Sequence, residues 1–208
     1  MHSSGDIGVA CGSGSGVSIA GAARGAAFGE GAPPALFRAA AAADFPLLVS
    51  FVHTQHVESS SWDAASRAAQ VVDLPADFPD LVSPDAWASL SRGAWLFADP
   101  AGALVGAAGL KASPTLPAGG IDVSFLFVAP AWRGRGLGAR LLGACLQAAE
   151  AVGAPAVRLL SITVYEAALT LYASRGFAEW KPRETVGLYT LVHLEKRLGG
   201  GAAAGATG

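Results

Sequence analysis

Arg133-Gly134-Arg135-Gly136-Leu137-Gly138 separates two segments of different periodicity. Before it, the apolar run at 123–128 and Pro130 read as a buried strand and a turn. After it, Leu137, Leu141, Cys145, Leu146 and Ala149 recur at helical spacing up to Gly153 and Pro155. A Gly-rich basic turn between a strand and a helix leaves free backbone N–H groups at a helix N-terminus, where the dipole favours negative charge. The turn is therefore a seat for a phosphate or diphosphate. The competing reading is a turn that serves tight packing only, with Arg133 and Arg135 as solvated charges. A dinucleotide fingerprint does not fit. The third Gly of Gly134-x-Gly136-x-Gly138 comes too early, and no acidic ribose partner stands at the usual distance.

The chain has 208 residues and a formal net charge of −2, enough for one domain with a sizeable core and without a general basic field for nucleic acid. Basic charge is local, at Arg133, Arg135 and Arg140. No window approaches the ~18–20 consecutive apolar residues of a membrane span. The two cysteines, Cys11 in a Gly/Ser tract and Cys145 on the apolar stripe of the helix, do not suggest a disulfide framework, and a reducing compartment fits. The expectations are a cytoplasmic protein, no nucleic-acid or membrane partner, and a monomer or homodimer.

Residues 1–33 are rich in Gly, Ala and Ser and are expected to be disordered. Gly12-Ser13-Gly14-Ser15-Gly16 belongs to this linker-like stretch. The segment is acid-poor, as organellar transit peptides are, but Arg24 is its single Arg. A Gly/Ala tail is expected at 198–208, which leaves one ordered domain at 34–197. Within it, 35–39 reads as a short strand and 43–56 as a helix capped by Asp44. Residues 59–91 read as an irregular, helix-containing connection. The runs 94–98 and 103–110 flank Asp99-Pro100-Ala101-Gly102, which predicts an antiparallel hairpin. Strands at 121–128 and 156–162, helices at 136–152 and 166–174, and final strands at 177–181 and 186–194 complete an α/β (α+β) pattern.

With these elements placed, the chain resembles the GNAT acetyltransferase superfamily. Two motifs carry the resemblance, in the family's order and separation. Arg133, Gly136 and Gly138 match the Arg/Gln-x-x-Gly-x-Gly/Ala turn, preceded by Val128-Ala129-Pro130 where the family commonly has Val-x-Pro. Ala168, Leu171, Tyr172, Gly176 and Phe177 match Ala-x-x-Leu-Tyr-x-x-x-Gly-Phe. The resemblance implies a mixed, mostly antiparallel central sheet of about seven strands, with helices on both faces and a splayed fourth and fifth strand. It also implies acetyl-CoA as co-substrate, no metal, and direct transfer to an amine in a ternary complex. The acceptor would be a small-molecule amine or a protein N-terminus.

The same resemblance assigns roles. The diphosphate would lie over the backbone of Arg133, Gly134, Arg135, Gly136, Leu137, Gly138 and Ala139, with Gly136 and Gly138 allowing close approach. The pantetheine arm would pair with the backbone of Leu126, Phe127 and Val128, and an N–H near Val128 would face the thioester oxygen. Tyr172 would protonate the departing thiolate; a free phenol near pKa ~10 is close enough to a thiol near ~8.5. The competing reading of Tyr172 is a core residue beneath Phe177. For the general base, Asp122 and Ser124, two residues apart on one strand face, are the candidates. Some relatives have a Glu late in the fifth strand, but no carboxylate stands between Leu159 and Val164 here. Many relatives have Asn seven residues before the Tyr, where this chain has Tyr165.

His53, His56 and Glu58 do not make a metal set, having no well-spaced further ligand. His56, Trp62 and Trp87 could line an acceptor pocket, although packing is the better default for the two Trp rings. The rival function is a non-catalytic acyl-CoA-binding sensor or scaffold on the same fold.

Overall fold

A computed structural model describes residues 36–57, 78–116, 119–187 and 189–199. The expected leader at 1–33, most of the connection at 59–91 including Trp62, Glu58, and the tail from 200 on lie outside the described residues. At the C-terminal end Leu198 is buried, and its N–H donates to Pro155 O.

The strands are β1 (Leu36–Ala39), β2 (Ser91–Ala98), β3 (Leu104–Ala112), β4 (Ile121–Val128), β5 (Ala156–Ile162), β6 (Ala178–Glu179), β7 (Glu184–Val186) and β8 (Tyr189–Arg197). The helices are α1 (Phe45–Val57), α2 (Pro84–Leu90), α3 (Leu137–Ala151) and α4 (Glu166–Ser174). The strands form one mixed sheet in the order β1-β2-β3-β4-β5-β8-β6, with β7 also on β8. All pairings are antiparallel except β4 with β5. Among the described residues the sheet has eight strands rather than about seven, because the final segment divides into β7 and β8, with Gly187 at φ +58° directly after β7. The expected strand at 177–181 shrinks to the two residues of β6.

The hairpin at 99–102 forms for the reason its residues suggest. Asp99 Oδ1 accepts the N–H groups of Ala101 and Ala103 at 2.9 and 2.8 Å, and Gly102 takes a φ of +87°. Asp44 does something other than cap α1. It lies in a 3-10 turn (Ala42–Asp44), accepts the Ala41 N–H at 2.7 Å, and takes both Arg38 guanidinium nitrogens at 2.6 Å. Ser83 does cap α2, accepting the Ala86 N–H at 3.1 Å.

Two apolar clusters sandwich the sheet. On one face α3 buries Leu137, Leu141, Leu142, Cys145 and Ala149 against Phe97, Ala108, Leu110, Ile121, Val123, Val157 and Val192. On the other, Leu48, Phe51 and Val52 of α1 pack with Phe78, Leu81, Leu96, Ala107 and Phe125. β4 contributes to both through a bulge. Val123 faces Leu110 and Phe125 faces Gly109, so Ser124 is an extra residue. Ile121 and Val123 precede it on the α3 face; Phe125 and Phe127 follow it on the α1 face, and Leu126 and Val128 return to α3.

Candidate active site

The Gly-rich turn adopts the geometry that an anion seat requires. Gly134 and Gly136 have φ of +74° and +78°, and Gly136 is the N-cap of α3. Arg133 N–H closes a 3-10 turn on Pro130 O, and Arg140 N–H begins the helix on Gly136 O at 3.1 Å. None of the six backbone N–H groups between them, from Gly134 to Ala139, donates a hydrogen bond to a described residue. Gly134, Arg135 and Gly136 are exposed. The two Arg side chains brace the turn: Arg133 Nε donates to Val128 O at 3.0 Å, and Arg135 donates to Ala131 O while lying over the Trp132 ring.

β4 and β5 begin side by side and then part. Their register holds only at Ile121 with Val157 and Asp122 with Arg158. Beyond that point 123–128 stays on β3, and 159–162 stays on β8. The Ala129 N–H donates to Val105 O at 2.9 Å, so the residues of β4 that exchange bonds with β3 are the alternate ones, Phe127 and Phe125. The N–H groups of Leu126 and Val128 therefore point into the gap. Arg133 takes the Val128 carbonyl; the Leu126 carbonyl and both N–H groups have no partner there among the described residues.

α4 meets this gap from the α3 face. A Cβ on Gly138 would lie 3.5 Å from Leu171 Cδ2 and 3.9 Å from Leu126 Cδ2 and Val128 Cγ2, so the mouth of α3, the open end of β4 and α4 converge. Those are ordinary contacts, and around Gly136 nothing lies within 4 Å; among protein atoms the Gly136 requirement is its positive φ. Tyr172 follows Leu171. It is 6 % exposed, its ring meets Phe177 edge-on at 5.9 Å, and its hydroxyl has no hydrogen-bond partner among the described residues. Burial pushes its phenol well above the ordinary range, which keeps the proton on. The Cys145 thiol, buried on the sheet-facing side of α3, is pushed up by the same cause.

The two base candidates stand in different surroundings. Asp122 is at the paired end, opposite Lys111 and beside Arg158. Burial raises its pKa, opposed by a Ser113 hydrogen bond and by the Lys111 and Arg158 charges. Arg158 is itself committed: it pairs with Glu195 at 2.8 Å, reaches Thr115 O, and stacks on Trp180 at 3.7 Å. Ser124 is nearer the open end, and its hydroxyl donates to Asp80 Oδ1 at 2.5 Å. Asp80, in the 3-10 turn Pro79–Leu81, is wholly buried. Sequence reasoning missed it because it sits among prolines in a stretch without periodicity.

The remaining candidates scatter. His56 packs on Phe78 and Phe127, and Trp87 packs on Phe45 within the α1 cluster; His53 is exposed. The Tyr165 carbonyl starts α4 by accepting the N–H groups of Ala168 and Leu169. Among the described residues no three His, Cys, Asp or Glu side chains converge as a metal site, and no helix is long and apolar enough to cross a membrane.

The chain is similar in fold to solved proteins that share few of its residues. yncA of Salmonella typhimurium, solved with its cofactor acetyl-CoA, is 20% identical with a TM-score of 0.62, over 84% of this chain and 99% of that one. An acetyltransferase of the GNAT family from Streptococcus pneumoniae is 19% identical with a TM-score of 0.59, over 80% and 100%. An N-acetyltransferase from Staphylococcus aureus Mu50 is 16% identical with a TM-score of 0.57, over 79% and 98%. No curated protein matches the chain. The family model described as the acetyltransferase (GNAT) family matches residues 60–177, a span that holds the Gly-rich turn, the splayed strands and Tyr172, and the chain belongs to that family.

Proposed function

We propose that this protein is an N-acetyltransferase that moves an acetyl group from acetyl-CoA to an amine by direct transfer. The observation that carries the reading is the run of six N–H groups from Gly134 to Ala139 that donate to no described residue, opening onto the gap between β4 and β5. The diphosphate of acetyl-CoA suits that run, because amide hydrogens and the α3 dipole converge on it. The acetyl-CoA in the Salmonella structure, on a fold like this one, supports the same ligand.

The direction of the donor follows from the placement of the turn. The turn adjoins the Val128 end of β4, so the pantetheine arm enters there and runs toward the closed end. Val128 N–H and the Leu126 carbonyl pair with the arm as a neighbouring strand would. The N–H deeper in the gap belongs to Leu126, and it donates to the thioester oxygen as charge builds there. On this reading the oxyanion donor is one pair of residues further in than Val128. Tyr172, protonated and without a hydrogen-bond partner among the described residues, gives its proton to the departing thiolate.

The close packing of Tyr172 on Phe177 favours one rival, an acyl-CoA-binding module in which this ring is only core. A thiol-release assay with acetyl-CoA decides. It is run against alkylamines, amino acids, aminoglycosides and peptides with free N-termini. Thiol release that depends on one amine class supports the enzyme; acetyl-CoA binding with no release for any amine supports the module.

A further inference from the structure

Asp80 is the one carboxylate with no exposed surface among the described residues. It lies between Phe78 and Leu81 in the apolar cluster under α1. One oxygen accepts the Ser124 hydroxyl, and the other, Oδ2, has no hydrogen-bond partner among the described residues. A carboxylate kept in an apolar layer with one oxygen bare is unfavourable for folding alone. Its single described contact leads outward, to the bulge of β4.

The bulge is well placed for chemistry. Ser124 is half-buried and two residues from Leu126, roughly 7 Å along a strand. The thioester carbon that Leu126 attends therefore lies within an amine's reach of the Ser124 hydroxyl. Asp122, by contrast, is two residues further toward the closed end and is ringed by Ser113, Lys111 and Arg158.

We propose that the Ser124 hydroxyl, oriented by Asp80, receives the proton that the acceptor amine must lose before attack. The inference rests on the acetyltransferase reading above. An N–H bond of the ammonium breaks as an O–H bond forms on Ser124 Oγ. The hydroxyl's former proton passes to Asp80 Oδ1. The freed nitrogen lone pair then attacks the thioester carbon, the C–S bond breaks, the thiolate leaves with the Tyr172 proton, and the second proton of the new amide nitrogen passes through solvent to restore the Tyr172 phenol. Solvent takes the proton from Asp80 after product departs. Ser124 touches the amine and is the catalytic residue; Asp80 acts through it and is a positioning residue. The carboxylate thus comes from the turn before α2, while β4 offers a hydroxyl at the bulge and its own carboxylate, Asp122, only at the closed end.

Asp80→Asn separates this role from a structural one. The amide oxygen still accepts the Ser124 O–H, which preserves the bulge, but it takes up no proton. The parent, Asp80→Asn and Ser124→Ala are compared for acetyl-CoA affinity by calorimetry, for thermal unfolding, and for kcat and KM with the amine best used in the thiol-release panel. The expected result is an acetyl-CoA affinity within threefold of the parent and a kcat/KM lower by about 100-fold or more in each variant. The loss falls on kcat, with the KM for the amine within about threefold of the parent's in both variants. Losses in the double variant do not add. Should Asp80→Asn not fold, Ser124→Ala alone decides. Variants that keep the parent's kcat/KM overturn the proposal and leave the acetyltransferase reading standing. A parent that does not bind acetyl-CoA overturns both.

Discussion

The Phe125 ring lies in the space where a Cβ on Gly109 would stand. The two residues face each other across β3 and β4, and an added methyl would overlap Cε1 and Cζ of the ring. The missing side chain on β3 lets the aromatic ring on β4 lie flat against the sheet just after the bulge. Gly109→Ala is expected to destabilise the fold by about 1–3 kcal/mol, because the ring must leave its place in a packed layer. Urea denaturation measures this as a lower midpoint with an unchanged slope.

Gly136 and Gly138 should separate backbone strain from ligand approach. Gly136→Ala forces a side chain into φ of +78°, at a cost of about 1–2 kcal/mol, with nothing in its way. Gly138→Ala meets only ordinary contacts and should leave stability within about 0.5 kcal/mol. Both are expected to weaken acetyl-CoA binding, and Arg135→Ala less than either, since the proposed diphosphate bonds are mainly to backbone. Thermal unfolding and calorimetry on the three variants read the two effects separately.

Asp122 and Asp44 should respond to acid in opposite senses. Burial raises the Asp122 pKa in the folded state, so the folded protein holds that proton more tightly than the unfolded chain. Its contribution to stability is full below the unfolded value near ~3.9 and is lost as pH rises through the folded value. Asp122→Asn should therefore be neutral to stabilising at pH 7, with the difference disappearing at low pH. The Arg38 hydrogen bonds lower the Asp44 pKa, so its contribution is present above ~3.9 and lost as pH falls through the folded value. Asp44→Asn should cost below about 1 kcal/mol at pH 7. Unfolding free energies between pH 3 and 7 test both signs.

Tyr172→Phe removes a hydroxyl that has no partner among the described residues, so stability should change by less than about 0.5 kcal/mol. If Tyr172 protonates the thiolate, kcat falls about 100-fold while acetyl-CoA affinity is retained. Unchanged kcat would remove Tyr172 from the chemistry and leave it as core.

The strand, Gly-rich turn and helix at 121–152 were legible because three local signals agree there: an apolar run, glycines where φ must be positive, and a helical stripe. The hairpin at Asp99 was legible through its turn chemistry. The bulge was not. Ile-Asp-Val-Ser-Phe alternates as a regular strand would, and only the pairing with Gly109 and Leu110 shows that Ser124 is extra. Asp44 looked like a cap because it precedes an apolar helix, but Arg38, brought close by β1, claims its carboxylate. Asp80 reaches Ser124 across 44 positions of chain, a contact that no local pattern encodes.

The proposed function rests on amide hydrogens at the mouth of α3 holding the diphosphate of acetyl-CoA. Calorimetric titration of the parent with acetyl-CoA and with S-acetylpantetheine, which lacks the diphosphate, tests it directly. The expected result is saturable binding of acetyl-CoA, at least a 100-fold weaker response to S-acetylpantetheine, and loss of the difference in Gly136→Val. Equal binding of the two compounds, or no binding of acetyl-CoA, would contradict it.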